Sequence, residues 1–183
     1  MRWDKDMEEE EVEKLFEKTR HSTGINFQDY SSIPVQIDPS DITPCVDFSE
    51  INLHEGLISN IERSGYKQPT PVQMHSLPIF TQGKDLMACA QTGSGKTAAF
   101  LLPMINMMFD KLQGQQQSGH RYQYDHNPSP YGCVMAPTRE LAVQIYEECR
   151  KFCYRTGIKS VVVYGGADIY GQASQLQKGC HIL

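Results

Sequence analysis

Apolar residues cluster unevenly along this chain, and the clusters set its predicted elements. Residues 1–20 are dense in charge, and only Val12, Leu15 and Phe16 form a weak apolar stripe for a short helix. Residues 21–46 hold Pro34, Pro39 and Pro44 among Ser, Thr and Asp, which predicts an extended, poorly packed segment. The pattern then changes. Asn52 ahead of Leu53-His54-Glu55 predicts an N-cap, Leu57, Ile58 and Ile61 recur at helical spacing, and Gly65 stops the helix. Thr70-Pro71 opens a second helix with Gln73 at its third position, the pattern of a capping box. Asp85–Ala90 predicts a buried strand, followed by a glycine-rich loop and a helix over Thr97–Lys111. Residues 113–130 are polar and of low complexity, which predicts an exposed loop.

The second half repeats that alternation. Gly132–Ala136 is a predicted strand, Pro137-Thr138 opens a helix reaching about Thr156, and Ser160–Tyr164 is a strand rich in β-branched residues. Gly165-Gly166 breaks it, a helix covers roughly 168–178, and Cys180–Leu183 begins a fourth strand. Strands alternating with helices predict an α/β fold with a parallel sheet covered on both faces.

Composition refines this in one respect. The net charge of −5 is concentrated in residues 1–45, where 5 Lys/Arg face 11 Asp/Glu; residues 46–183 hold 12 against 11. The organisation expected is therefore an acidic, largely extended leader over 1–45 and a folded domain over 46–183. A nucleic-acid surface would have to be local, since the domain carries no global basic field. The mean hydropathy of −0.47 fits a chain of which part has no core of its own. No apolar run approaches the ~18 residues of a membrane span, and the acidic N-terminus MRWDKDMEEEEVEK lacks the apolar centre of a secretory signal. These features point to no membrane partner and to a location inside the cell, cytoplasmic by default. Six cysteines are scattered without a CxxC. Cys149 and Cys153 share one helix face, but no further His or Cys completes a metal set, so reduced buried thiols are expected.

The chemistry sits in ACAQTGSGKTAAF, residues 88–100. It satisfies G-x-x-x-x-G-K-[ST] except at the first position, where Ala90 replaces glycine. Gly93 and Gly95 let the chain wrap so that backbone N–H groups over Gln91, Thr92, Gly93, Ser94 and Gly95 point inward at an anion. Lys96 would reach the β- and γ-phosphates, and the Thr97 hydroxyl would take Mg2+; these two are the candidate catalytic residues. In GYKQPTPVQ, residues 65–73, the Gln73 carboxamide offers the acceptor–donor pair that matches N6 and N7 of adenine, which would select ATP. The same residue could simply complete a capping box with Thr70, and Phe48 and Tyr66 could stack on adenine or belong to the core.

These segments, with APTRELAVQ and VYGGAD following in order, resemble the first half of a DEAD-box RNA helicase. The alanine at position 90 is the residue that family uses, and Phe48 stands 17 residues ahead of Gly65 as it does there. TGINFQDYSSIPV, residues 23–35, and LMACAQTGSGKTAAFLLP resemble the Vasa- and Belle-like subfamily. The resemblance implies a RecA-like domain with ATP and Mg2+ as cofactors and RNA as partner, with ATP-driven RNA unwinding or remodelling of RNA–protein complexes. The ATP site it implies comprises Phe48, Tyr66, Lys67, Gln68, Pro69, Thr70, Pro71, Val72 and Gln73 together with Ala90 to Thr97. Pro137, Thr138, Arg139, Glu140, Gly165 and Gly166 would meet the RNA backbone, extending along the helix to Leu141 and Ala142. Arg139 could fork onto a phosphate or be spent in an ion pair within the domain. The acidic leader would be free to bind protein partners.

No acidic residue after Lys96 ends an apolar strand: Asp110, Asp125, Glu140, Glu147, Glu148 and Asp168 fall on helices, in the polar loop or beyond glycines. The DEAD tetrapeptide and the TPGR, SAT and arginine-finger motifs do not occur within residues 1–183. The expectation is a first RecA-like domain incomplete at its C-terminus, without ATPase activity on its own and marginally stable through an exposed sheet edge. A non-catalytic ATP-, RNA- or partner-binding module is the alternative. Another P-loop enzyme such as a nucleotide kinase is disfavoured by Gln73 and the PTRELA segment.

Overall fold

The structure, a computed structural model, describes residues 9–22, 34–38, 42–117 and 129–183. Among them are six α-helices: α1 (Glu9–Ser22), α2 (Glu55–Arg63), α3 (Pro71–Thr81), α4 (Lys96–Gln117), α5 (Arg139–Phe152) and α6 (Ile169–Gln177), with a 3-10 turn at Phe48–Glu50. None is long and apolar enough to cross a membrane.

The core forms around α4. Its Ala98, Leu101, Leu102, Ile105, Met108, Phe109 and Leu112 recur at three- and four-residue spacing and are all buried, meeting Leu57 and Ile61 of α2 and Leu77 of α3. Phe152, Ile158 and Ile182 close the cluster from the second half of the chain. Each fully buried Leu, Ile or Phe contributes roughly 1.5–3 kcal/mol, so this shared cluster is what holds the two halves together.

Local chemistry shifts several predicted boundaries. The cap of α2 is His54, whose Nδ1 accepts from Gly56 N at 3.2 Å, rather than Asn52. The reason lies on α4: the Asn106 carboxamide accepts from His54 N at 2.8 Å and donates to Asn52 O at 3.0 Å, which fixes the 52–54 segment in an extended approach. The His54 ring stacks on Phe109 with centroids 3.9 Å apart. Helix α5 ends at Phe152, short of Thr156, because Thr156 Oγ1 donates to Cys153 O at 2.6 Å and accepts from Ile158 N at 3.1 Å, forming a turn. Helix α4 runs on to Gln117, into the predicted polar loop; the rest of that loop up to residue 128 lies outside the described residues. Cys149 and Cys153 do share a face, their sulfurs 3.8 Å apart and buried. No group of three or more His, Cys, Asp or Glu among the described residues could hold a metal.

The predicted parallel sheet is reduced to isolated bridges. Among the described residues no continuous strand forms; Gly132 and Ser160 each bridge to Ile182 in the parallel sense. The 181–183 segment lies between the other two. His181 O accepts from Tyr131 N and Gly132 N at 2.8 and 3.0 Å, and His181 N and Ile182 N donate to Lys159 O at 2.7 and 3.1 Å. Asp85–Ala90 has the apolar pattern of a strand, yet among the described residues no main-chain hydrogen bond joins it to another segment, and Met87 is 89% exposed. Pattern gives a segment strand propensity, but a ladder needs a neighbour with matching register.

Helix α1 packs on the domain. Val12, Leu15 and Phe16 bury against Tyr154, with Phe16 edge-on to the Tyr154 ring at 5.7 Å. Arg63 lies over both rings, 4.9 Å from Phe16 and 5.0 Å from Tyr154. The apolar stripe predicted in the charged leader is therefore a docking face. Further along, Ile42 and Cys45 are buried, and Cys45 N donates to Met74 O at 2.9 Å, so the chain joins the domain before residue 46.

Two stability predictions arise here. Asn60, buried on α2, donates from Nδ2 to Phe152 O at 2.9 Å and to Tyr154 O at 2.7 Å, satisfying the carbonyls at the end of α5. Asn60→Ala leaves both unpaired and is expected to cost about 2–4 kcal/mol in a denaturant titration, on the scale of a lost buried hydrogen-bonding group for each carbonyl. His181 Nδ1 accepts from Lys159 N at 2.9 Å, which requires the neutral ring, and burial together with the Lys159 charge holds its pKa below the ordinary histidine value. The unfolded chain then binds more protons than the folded one. This contribution is complete above the unfolded value of about 6.5 and is lost as pH falls through the folded value. Melting temperatures measured down through that window should fall, and His181→Asn, which keeps an acceptor that cannot titrate, should flatten the slope.

Candidate nucleotide and nucleic-acid site

The glycine-rich loop leads directly into α4 and is tied to α3 by one side chain. Gln73, fully buried, accepts at Oε1 from Thr70 N at 3.0 Å and donates from Nε2 to Gly95 O at 3.0 Å. The first bond is the glutamine half of the predicted capping box; the second spans 22 residues to the phosphate loop. The contact leaves no room for a side chain at position 95: a Cβ there would lie 2.6 Å from Gln73 Nε2 and 3.0 Å from Thr70 Oγ1. Gly95 also sits at φ +89°, a left-handed conformation that favours glycine.

Within the loop the lysine turns back on its own chain. Lys96 Nζ donates to Ala90 O and, at 2.7 Å, to Gln91 O, so the ammonium lies inside the curve of the loop. Ala90, Gln91, Thr92 and Gly93 are exposed, Gly95 and Thr97 half-buried, and Ser94 buried. The Ser94 hydroxyl has no hydrogen-bond partner among the described residues. A curved, exposed backbone with an inward ammonium, an orphaned hydroxyl and a following helix N-terminus fits a polyphosphate. Thr97, in the first turn of α4, offers a hydroxyl oxygen suited to Mg2+.

The remaining predicted ATP residues are spread over two environments. Pro69 and Thr70 are buried beside Gln73, Pro71 occupies the first turn of α3, Val72 is half-buried, and Lys67 and Gln68 are exposed. Phe48 is buried in the main core. Tyr66 contacts Phe152 with ring centroids 5.9 Å apart, and burial, reinforced by Glu148, raises its phenol pKa. Gln73 is brought to the phosphate loop, while the Tyr66 ring is turned toward α5.

The two predicted RNA-contact segments converge. Thr138 caps α5, its side chain accepting from Leu141 N at 3.3 Å, and Pro137, Thr138, Arg139 and Glu140 are exposed at that N-terminus. The Arg139 guanidinium lies over the Tyr164 ring, 4.5 Å from its centroid, and no carboxylate among the described residues pairs with it. Gly165 and Gly166 follow Tyr164, are exposed, and have open space where a side chain would stand; Gly166 adopts φ +76°.

Two further residues complete this corner: Gln172, which sequence reasoning did not single out, and Asp168, which it weighed only as a metal-organising carboxylate. Tyr164 N donates to Gln172 Oε1 at 2.8 Å, and Gln172 Nε2 donates to Tyr164 O at 3.1 Å. Asp168 caps α6 with bonds of 3.0 Å from Tyr170 N and from Gly171 N. The Asp168 cap was open to pattern reading as an acidic residue before a helix; the Gln172 pairing, eight residues back across a glycine turn, was not.

Comparison with known proteins agrees with this architecture. The DEAD/DEAH box helicase family profile matches residues 70–183. A crystal structure of a DEAD box protein from the hyperthermophile Methanococcus jannaschii is similar at 29% identity and a TM-score of 0.61, over 76% of this chain and 34% of that one. The RNA-helicase Prp28 from Chaetomium thermophilum, solved bound to ADP, is similar at 34% identity and a TM-score of 0.62, over 98% of this chain and 39% of that one. The chain thus spans well under half the length of either solved protein. On the match over residues 70–183, the chain belongs to the DEAD/DEAH box helicase family, with its RecA-like fold.

Proposed function

We propose that this chain supplies the ATP-binding half of an ATP-dependent RNA helicase and the first part of its RNA-backbone surface, in a Vasa/Belle-like member of the family. The observation that carries the reading is the Gln73 bridge from α3 to Gly95 O, which couples the residue suited to adenine with the loop suited to phosphates. When bound with Mg2+, ATP supplies the phosphoanhydride whose hydrolysis drives strand separation. The loop N–H groups from Gln91 to Gly95 orient its phosphates, and Lys96 exchanges the carbonyls of Ala90 and Gln91 for phosphate oxygens. Thr97 holds the metal. Gln73 keeps unused hydrogen-bonding capacity, one N–H and one lone pair, beyond its two bonds in this structure. Adenine readout by Gln73 therefore adds to the bridge or exchanges with it. The Pro69–Val72 turn beside Gln73 faces the purine, and Phe48 supports it from the core.

On the RNA side, Arg139, the α5 N-terminus and the open Gly165-Gly166 backbone contact phosphates and sugars without reading bases. A parallel sheet organised around the 131–134, 159–161 and 181–183 segments would carry the RNA-side residues at one end, Arg139 after the first segment and Gly165-Gly166 after the second. No acidic residue after Lys96 ends an apolar strand where it could organise the metal and attacking water, so we assign nucleotide binding rather than hydrolysis to residues 1–183. With the apolar face of α1 docked, its exposed Glu10, Glu11, Glu13 and Glu17 are available to protein partners.

Two predictions test the reading. Lys96→Ala in the full-length protein should abolish ATP-dependent unwinding, and residues 1–183 alone should bind nucleotide without hydrolysing it; turnover on the order of 1 per second with RNA would contradict that assignment. Gln73→Ala should lower thermal stability, because Thr70 N–H and Gly95 C=O are left unpaired at about 1–3 kcal/mol each. It should also reduce the preference for ATP over GTP by about 1–3 kcal/mol in a competition assay. An unchanged preference with lowered stability would confine Gln73 to the structural bridge.

A further inference from the structure

Arg139, Tyr164 and Gln172 come from three different segments and form one chain of contacts: α6 holds the backbone of Tyr164, and the Tyr164 ring supports Arg139. We propose that Tyr164 and Gln172 are positioning residues for the RNA-backbone contact, setting the Arg139 guanidinium toward a phosphate beside Gly165-Gly166. The inference rests on the reading above that Arg139 meets RNA.

The chemistry of the contact favours this role. An exposed arginine has many rotamers, and ordering it on binding costs affinity. An ion pair would order it too, but would occupy the donors that a phosphate needs. A ring face attracts the cation without accepting its in-plane N–H groups, so Arg139 is ordered and its fork stays available. The ring can serve only if its own backbone is fixed. Tyr164 lies at the end of the 159–164 segment, beyond the parallel bridge at Ser160, and Gln172 takes both its N–H and its C=O in a two-bond amide pairing. The pairing stops there, leaving the Gly165 and Gly166 backbone exposed where the chain turns.

The test is binding of a fluorescein-labelled oligouridylate to the full chain, followed by anisotropy at several salt concentrations. Arg139→Ala should weaken binding and reduce the salt slope by about 1. Tyr164→Leu should weaken it about two- to fivefold, the scale of an exposed cation–π contact, while Tyr164→Phe should bind as wild type. Gln172→Ala should follow Tyr164→Leu. The double variant Arg139→Ala/Tyr164→Leu should bind no more weakly than Arg139→Ala alone, because Tyr164 acts through Arg139. Multiplying effects, or a Tyr164→Leu variant that binds as wild type while Arg139→Ala does not, would overturn the inference and leave the RNA reading intact. An Arg139→Ala variant with full affinity would overturn both. Should Tyr164→Leu fail to fold, the NMR signal of the Arg139 side chain in the wild-type protein decides: ring-current displacement upfield, retained in Tyr164→Phe, supports the contact, and an undisplaced signal overturns it.

Discussion

The buried Gln73 carboxamide is the contact on which the site's geometry depends. Its two polar ends pair with Thr70 N and Gly95 O, so the start of α3 and the glycine-rich loop cannot move independently. With Gln73 fully buried, a broken bond leaves an unpaired group that water cannot readily reach, and that cost keeps both bonds in place. The demand on position 95 follows directly. A residue larger than glycine would collide with Gln73, and an L-residue would resist the local backbone angle. The glycine of the loop thus answers two requirements, the curve needed for an anion and the room needed for the carboxamide.

A comparable economy governs the opposite corner. Asn60 and Asn106 each use one buried or half-buried carboxamide to satisfy backbone groups from a different element, and Gln172 does so at Tyr164. Four side-chain amides therefore hold segments that no continuous strand ladder joins. Amides suit the task because they pair with N–H and C=O together without introducing a charge that burial would penalise. The apolar cluster around α4 supplies the packing, and the amides set which segment lies against which.

Much of the site was legible in the chain because its signals are local. The glycine spacing over 90–97, proline after threonine at 70–71, and the Thr138 cap each arise within a few residues of the groups they satisfy, and the structure forms the Gln73–Thr70 and Thr138–Leu141 bonds accordingly. Competing readings of one residue were a different matter. Gln73 as cap or adenine reader, and Arg139 as phosphate fork or ion-pair member, looked alike in sequence because both uses demand the same side chain. The structure shows the glutamine half of the capping box formed, with a second bond from Gln73 to Gly95, and Arg139 over a ring with no carboxylate among the described residues against it.

Sequence by itself determined the order of helices and glycine turns, the concentration of negative charge in residues 1–45, and the family through motifs in order. Each of these depends on near-neighbour chemistry or on composition. Tertiary structure decided what depends on distant partners: Asn106 drawing the α2 cap from Asn52 to His54, Tyr66 turned to Phe152, and the charged α1 seated on Tyr154. It also decided that Asp85–Ala90, apolar and strand-like in pattern, has no ladder partner among the described residues. Side-chain periodicity is written into the chain, but hydrogen-bond partners across 50 or more residues, as between His54 and Asn106, are chosen only when folding brings the segments together.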